Sequence, residues 1–415
     1  MNTDVQIHLV HVQQVEVPAV ETTYWCKTIE LPYFSKEHHI IRYESDIMPT
    51  SQGLIHHMEI FRCPRNENVP HYNAACNSEM KPPGLSHCRE VIAAWAMGTT
   101  GLTFPEQAGI RVGGARGREY AVIEMHYNNP KNISGIIDNS GFRLYITSKL
   151  RPYDVGVVEL GLVYSPYNII PPRQSQFTLT GYCDTQCTDV SLPKPNGIFV
   201  FASQLHTHKT GIKVVTHHLR NGTRLSDLNR DDYYSPHFQQ IRQLYEQVQI
   251  KRAKYSCTGE LNCAWIFGCY HGDSLITSCT YNTSSKNQVT LGGLGIRNEM
   301  CINYIFYYPK INLELCKSDV LVRSFTSFLK TLDENISSAE NYVDIMDTIN
   351  SVEWNEKNVQ NLERFYRNSP IDMHCNSSSG TRIKGSRTCR FPEMVPQEDA
   401  KDFNNKYCTS ESSEV

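Results

Sequence analysis

The chain has 415 residues, 40% of them hydrophobic and 20% charged, with a formal net charge of −3 and a pI near 6.6. That balance describes a globular protein with room for two or three domains and excludes a disordered chain. Near-neutral charge leaves no electrostatic footprint for nucleic acid. No run of 18 or more apolar residues exists to form a membrane-spanning helix.

Residues 1–21, MNTDVQIHLVHVQQVEVPAVE, are polar and carry Asp4 and Glu16. They lack the apolar core of ~7–15 residues that a secretory signal needs, so they read as a lead segment, with the native start expected upstream. From Thr23 to about Pro309 strand patterns dominate: HIIRYE, GLIHHMEIFRC, YAVIEMHY, FRLYITSKL, VGVVELGLVY, SQFTLTGYC, GIFVFASQLHTH, IKVVTHHL, SLITSCTYN and MCINYIFYYP. They are short, rich in β-branched and aromatic residues, and mostly bounded by Gly, Pro, Asn or Asp. The expected fold class is all-β, with two tandem antiparallel, jelly-roll-like β-sandwich domains. A Pro-Pro step cannot continue a ladder, so Ile169, Ile170, Pro171 and Pro172 are the expected hinge between domains at 22–169 and 170–375. Residues 317–368 show helical spacing, as in Val320, Phe325, Phe328 and Leu329, and predict a partly helical C-terminal extension. Residues 376–415 are rich in Ser, Gly and charge and read as a flexible tail.

Fifteen cysteines bear on the compartment. Cytosolic thiols stay reduced, so this density points to an oxidising environment. No CxxC occurs; Cys183 and Cys187 come nearest, without a second pair at zinc-ribbon spacing. N-x-S/T sequences at Asn132, Asn221, Asn282, Asn335 and Asn376 agree with a glycosylated protein of the secretory pathway.

Three clusters hold the residues suited to chemistry: His56-His57-Met58-Glu59, Glu124-Met125-His126-Tyr127, and Gln204-Leu205-His206-Thr207-His208 with Asn298-Glu299-Met300-Cys301 far downstream. On a strand, i and i+2 share a face, so His206 and His208 can reach one ion; two surface histidines are the even-odds alternative. Adjacent His56 and His57 point to opposite faces and can share a metal only at a bulge, twist or strand end. His126 taken singly is more often structural. Most of the 10 Met are core filler, although a thioether is a ligand that selects Cu(I).

The segments HHMEIFRC, EMHYNNP, FASQLHTH and EMCINYIFYYP, in that order, resemble the copper type II, ascorbate-dependent monooxygenases. The likeness is greatest to the dopamine β-monooxygenase branch and its DBH-like relatives. ETTYWC, KPPGLSHCREVIAAWAMG, VELGLVYSP, YYSPHFQQIR and LITSCTYNT extend it over roughly residues 15–380. The resemblance implies two copper ions per chain, facing each other across a solvent-filled cleft between the domains. His56, His57 and His126 would hold the electron-storing ion, and His206, His208 and Met300 the ion where dioxygen reacts. Ascorbate would be the reductant and O2 the co-substrate. It also implies the disulfides Cys26–Cys76, Cys63–Cys88, Cys183–Cys316, Cys187–Cys375 and Cys279–Cys301.

Gln204 stands where the peptide-hydroxylating relatives carry an Arg, which argues against a peptide substrate. The expected reaction is hydroxylation of a C–H bond in a small, phenylethylamine-like molecule, with Tyr304 and Tyr307 as candidate substrate contacts. The competing readings are a catalytically silent secretory binding protein that retains the fold and, less favoured because of Met300, a structural zinc sandwich. Lys209 replaces the usual apolar residue after the His-x-His pair. Residues of about 254–269, around YSCTGELNCAWIFGCY, look inserted, and Cys257, Cys263, Cys269, Cys389 and Cys408 have no family partners. The sequence is silent on oligomeric state.

Overall fold

The computed structural model describes residues 4–65, 69–99, 101–114, 118–253, 272–295, 297–332, 348–386 and 389–390. The expected insertion at 254–269 with Cys257, Cys263 and Cys269, together with Asn335, Cys408 and tail residues 391–415, lies outside that set.

Alternating apolar and polar residues produce two packed sheets in the first half. One has the order Val5–His11, Gly141–Thr147, Glu37–Asp46, Ala108–Gly113 and Tyr153–Asp154, with Leu102–Thr103 added to Glu37–Asp46. The other runs Asn73–Ala75, Thr22–Glu30, Tyr120–Asn128, Ile55–Arg62 and Glu90–Ala96. Ile40, Tyr43, Phe142 and Leu144 of the first sheet share a core with Met58, Ile60, Met125 and Tyr127 of the second. The stretch read as a lead segment belongs to this half. Val5–His11 pairs along its whole length with Gly141–Thr147, and Val10, Val12, Val15 and Val17 are buried. Its alternation is a strand signal that the scattered charges mask.

In the second half, one sheet has the order Ile241–Ile250, Ile198–His206, Ile302–Tyr308, Gly156–Leu162, Leu315–Val320, Ile371–Asn376 and Cys389–Arg390. Its partner holds Phe177–Cys183, Asp273–Tyr281, Gly211–Arg220 and Thr223–Arg224, with Asn229–Asp231 on Gly211–Arg220. Strand pairing changes over at Val155, between Tyr153–Asp154 and Gly156–Leu162, rather than at the expected hinge near Pro171. Among the described strands, pairing is antiparallel except for Tyr153–Asp154 on Ala108–Gly109 and Glu159–Leu162 on Leu315–Ser318. Residues 317–320 belong to a strand, and helix begins only at Val322–Leu332, followed by Glu356–Asn368. Asn355 caps the latter by accepting from the Asn358 N–H. Phe325, Phe328 and Leu329 meet Val359, Leu362 and Phe365 over Ile169 and Phe177. The helices thus cover the second half.

Apolar contact joins the halves: Phe201, Ala202, Phe306 and Tyr308 of the second belong to the core of the first. The Phe104 and Phe201 rings lie 5.8 Å apart and those of Tyr153 and Tyr308 5.5 Å. Among the described residues, five disulfides close Cys26–Cys76, Cys63–Cys88, Cys183–Cys316, Cys187–Cys375 and Cys279–Cys301. These are the pairs named above, and they fit an oxidising compartment. Asn132, Asn221 and Asn282 are exposed, whereas Asn376 is half-buried at the end of a strand. Among the described residues no helix is long and apolar enough to cross a membrane.

Candidate metal centre

His57 and His126 are register partners on neighbouring strands. One step later the register slips: Tyr127 pairs with Ile55, and His56 is the extra residue of a bulge. That slip lets two adjacent imidazoles approach one point. The Nδ1 atom of His57 lies 3.3 Å from that of His56 and 3.2 Å from that of His126. Ligand-capable atoms of the three side chains lie within 4.8 Å of one another, and Tyr24 stacks on the His126 ring at 4.3 Å.

These rings are held neutral. Burial keeps His57 well below the ordinary imidazole range, with His126, His56 and His206 adding to the effect. Burial, then His56, His237 and Lys209, bring His126 down to about 3. His56 is lowered by burial and by His237. A proton can bridge two of the three nitrogens, but the third lone pair then faces no donor. In addition, His56 Nε2 is buried without a hydrogen-bond partner. Such a donor set fits a metal ion. Two sulfur-containing clusters, Cys183-Cys187-Cys316 and Cys26-Cys76-Glu124, do not, because their cysteines are in disulfides and offer no thiolate.

The second group forms where the Ile198–His206 strand ends. The His206 and His208 rings stand 5.3 Å apart and nearly perpendicular. His206 Nδ1 bonds Gln239 Oε1, and His208 Nδ1 bonds the Asn298 carbonyl at 2.9 Å. Both partners are oxygen acceptors, so each Nδ1 carries the proton and each Nε2 keeps its lone pair for a ligand. Burial, then His208, brings His206 down to about 3. Glu299 accepts from His208 N at 2.9 Å, Thr210 N at 2.6 Å and Thr210 Oγ1 at 2.7 Å. Met300 follows directly, buried, with its carbonyl accepting from Tyr281 Oη at 2.8 Å. Ile302, two residues on, is the register partner of His206. Met300 therefore sits at the same end of the sheet as the histidine pair.

The two groups lie near each other at the junction of the halves. The His237 ring, from the second half, lies 5.7 Å from that of His56. His206 is near enough to lower His57, and exposed Lys209 near enough to lower His126.

Tyr304 pairs in register with Gln204, and its ring lies 6.3 Å from His206. Tyr307, an odd number of residues along the strand, faces the other way. It is fully buried among Val158, Leu160 and Ile305, with its hydroxyl on the Leu313 carbonyl at 3.4 Å. It is a core residue, which corrects its expected role as a substrate contact. Gln204 spends its amide on the Gln239 carbonyl at 3.0 Å. Sequence reasoning gave no role to Gln239, Glu299 or His237, although SPHFQQ and NEMC carried the signal.

The sequence profile of the copper type II ascorbate-dependent monooxygenase N-terminal domain matches residues 8–134. That of the C-terminal domain matches residues 153–259 and 266–328. The chain belongs to this family. The interruption in the second match falls inside the stretch expected to be inserted. The chain is 45% identical over 381 residues to human dopamine beta-hydroxylase, covering 91% of this chain and 58% of that protein. It is 39% identical to Caenorhabditis briggsae tyramine beta-hydroxylase, covering 92% and 61%. Against human DBH-like monooxygenase protein 1 identity is 34%, covering 88% and 59%. The chain thus spans about three-fifths of the length of these relatives.

Proposed function

We propose that the chain is a copper- and ascorbate-dependent monooxygenase that hydroxylates a C–H bond of a small molecule with O2. The observation that carries this reading is the meeting of three neutral imidazole nitrogens near a second histidine pair, with buried Met300 at the same end of the sheet as that pair. His56, His57 and His126 would hold one copper; His206, His208 and Met300 would hold the other. Imidazole suits copper, and a thioether favours its reduced state. Bound copper would store one electron from ascorbate at each site, supplying the two electrons with which O2 leaves one atom on carbon and one in water.

The protein's own part is to prepare these donors. Burial favours the unprotonated form of His56, His57, His126 and His206, while Gln239 and the Asn298 carbonyl fix the tautomers of His206 and His208. Glu299 holds the backbone between His208 and Thr210 beside Met300. For the substrate, Tyr304 offers an aromatic face next to His206. Glu59 lies on the same strand face as His57 and is pushed up to about 8 by burial and by Glu124. A protonated amine is its natural complement, because an ammonium group would stabilise the carboxylate that burial disfavours. An amine on an aromatic skeleton, as in the named substrates of the two hydroxylase relatives, is the substrate class we propose. The oxidising compartment is then the secretory pathway, and exposed Asn132, Asn221 and Asn282 are the proposed glycosylation sites.

Protein produced in an oxidising host should bind two coppers per chain and consume oxygen with ascorbate and a phenylethylamine. Met300→Ile should abolish turnover while the copper at the three-histidine cluster is retained. Zinc alone, or no metal, in the wild type would refute the reading.

A further inference from the structure

The residues 234–239 form a short strap between the two histidine groups. Its two ends are anchored. Tyr234 is buried and its hydroxyl accepts from the Thr207 N–H at 3.0 Å. Gln239 donates from Nε2 to the Thr207 carbonyl at 3.2 Å and to the Pro236 carbonyl at 2.9 Å, and its Oε1 meets His206 Nδ1. Between the anchors the chain turns on itself: the Phe238 N–H donates to the Ser235 carbonyl at 3.0 Å and the His237 N–H to Ser235 Oγ at 3.4 Å. Gln239 thus orients a ligand of one group. His237, two residues earlier, reaches the other.

His237 is exposed, yet its ring stands edge-on to the buried His56 ring at 5.7 Å. That spacing is close to those within the cluster itself, 5.5 Å for His56–His57, 4.8 Å for His56–His126 and 4.6 Å for His57–His126. The mutually close ligand atoms are those of the other three histidines alone, so His237 is a neighbour of the donor set. His56 is also the histidine that most needs support. It is the bulged residue, without a register partner on Tyr120–Asn128, and its Nε2 is buried without a partner. An edge-to-face ring contact restricts rotation of such a side chain.

We propose that His237 is a positioning residue for the first metal site, supplied by the opposite half of the chain: it packs on His56 and holds that ring toward His57 and His126. The strap then links the two sites, since Gln239 does the same for His206. This inference rests on the reading of the three-histidine cluster as a copper site.

The test is copper titration of the full chain against a competing chelator, followed by electron paramagnetic resonance of the Cu(II) form. His57→Ala serves as the control that removes the first site. His237→Ala should weaken copper at the first site on the order of 10-fold, within the range typical of groups that orient a ligand, and alter that site's Cu(II) spectrum. The signal of the second site should stay unchanged. His237→Phe keeps a ring and lacks the nitrogens, and should restore affinity and spectrum. Gln239→Leu should show the converse pattern, with the loss at the second site. Because His237 is exposed, thermal unfolding of the metal-free variants should match wild type. An unchanged His237→Ala variant overturns the proposal while the copper reading survives. A Phe variant as weak as Ala also overturns it, in favour of a role for the nitrogen. Wild-type protein whose copper is unaffected by His57→Ala overturns both.

Discussion

Glu299 offers a sharp test of how the second histidine group is held in place. Its carboxylate accepts three hydrogen bonds, from His208 N, Thr210 N and Thr210 Oγ1, and it is itself buried. In Glu299→Gln one oxygen becomes an NH2 group, so whichever way the amide is set at least one buried donor faces another donor. A hydrogen bond to a charged acceptor contributes about 1.5–3 kcal/mol, and a buried donor left unpaired costs about 1–3 kcal/mol. Since one oxygen still accepts, we expect a loss of about 2–3 kcal/mol. For a unit the size of this half, each kcal/mol moves the midpoint by about 2–4 °C, which gives roughly 4–12 °C. Calorimetry of the metal-free variant should show that drop. Copper at the His206–His208 site should weaken with it, because the backbone carrying His208 loses its anchor. Glu299→Ala, which strands all three donors, should fall further. A Gln variant with an unchanged midpoint would refute the idea that this carboxylate secures the site.

Three other outcomes follow from the packing. Replacing Cys279 and Cys301 by Ser opens a bridge of sequence separation 22; chain-entropy loss puts the cost at about 3 kcal/mol, read as a lower denaturant midpoint together with weaker copper retention beside Met300. Asp273 is fully buried and binds Arg220, His218 and the Lys251 N–H, so Asp273→Asn should cost about 3–5 kcal/mol. Burial alone would raise the Asp273 carboxyl, but hydrogen bonds from Arg220 and His218 hold it below the usual range. Its contribution is therefore present above the unfolded value of about 3.9 and lost as pH falls through the lower folded one; acid unfolding curves should be shallower below about pH 4 for the Asn variant, and parallel curves would count against the assignment. Leu362, fully buried between the C-terminal helices and the second half, should cost about 2–5 kcal/mol as Ala, measured by thermal unfolding, and a neutral result would mean that those helices are not docked.

Much of this protein was legible in its residues. The period-two alternation of segments such as YAVIEMHY and GIFVFASQLH announced strands, cysteine density announced disulfides, and ordered motifs resembling one family named the six metal-binding candidates. The His-x-His spacing marked His206 and His208 as a possible pair, although the strand itself ends at His206. Alternation, however, states which face a side chain takes and never which strand lies beside it. Only pairing places Val5–His11 in the N-terminal sheet and Gly156–Leu162 in the C-terminal one. The odd spacing of Tyr304 and Tyr307 already puts them on opposite faces of a strand, and only the sheet decides that Tyr304 faces His206 and Tyr307 the core near Leu313.

The deepest dependence on tertiary structure is at His56. Two adjacent histidines cannot normally converge, and the condition under which they do, a slipped register opposite Tyr127, is a property of two strands rather than one. The strap from Tyr234 to Gln239 is likewise invisible to periodicity, because its meaning comes from lying between two halves whose sequences are far apart. Local chemistry chose the donors, and long-range pairing, settled by burial of Phe201, Ala202, Phe306 and Tyr308 in the first half's core, chose how they meet.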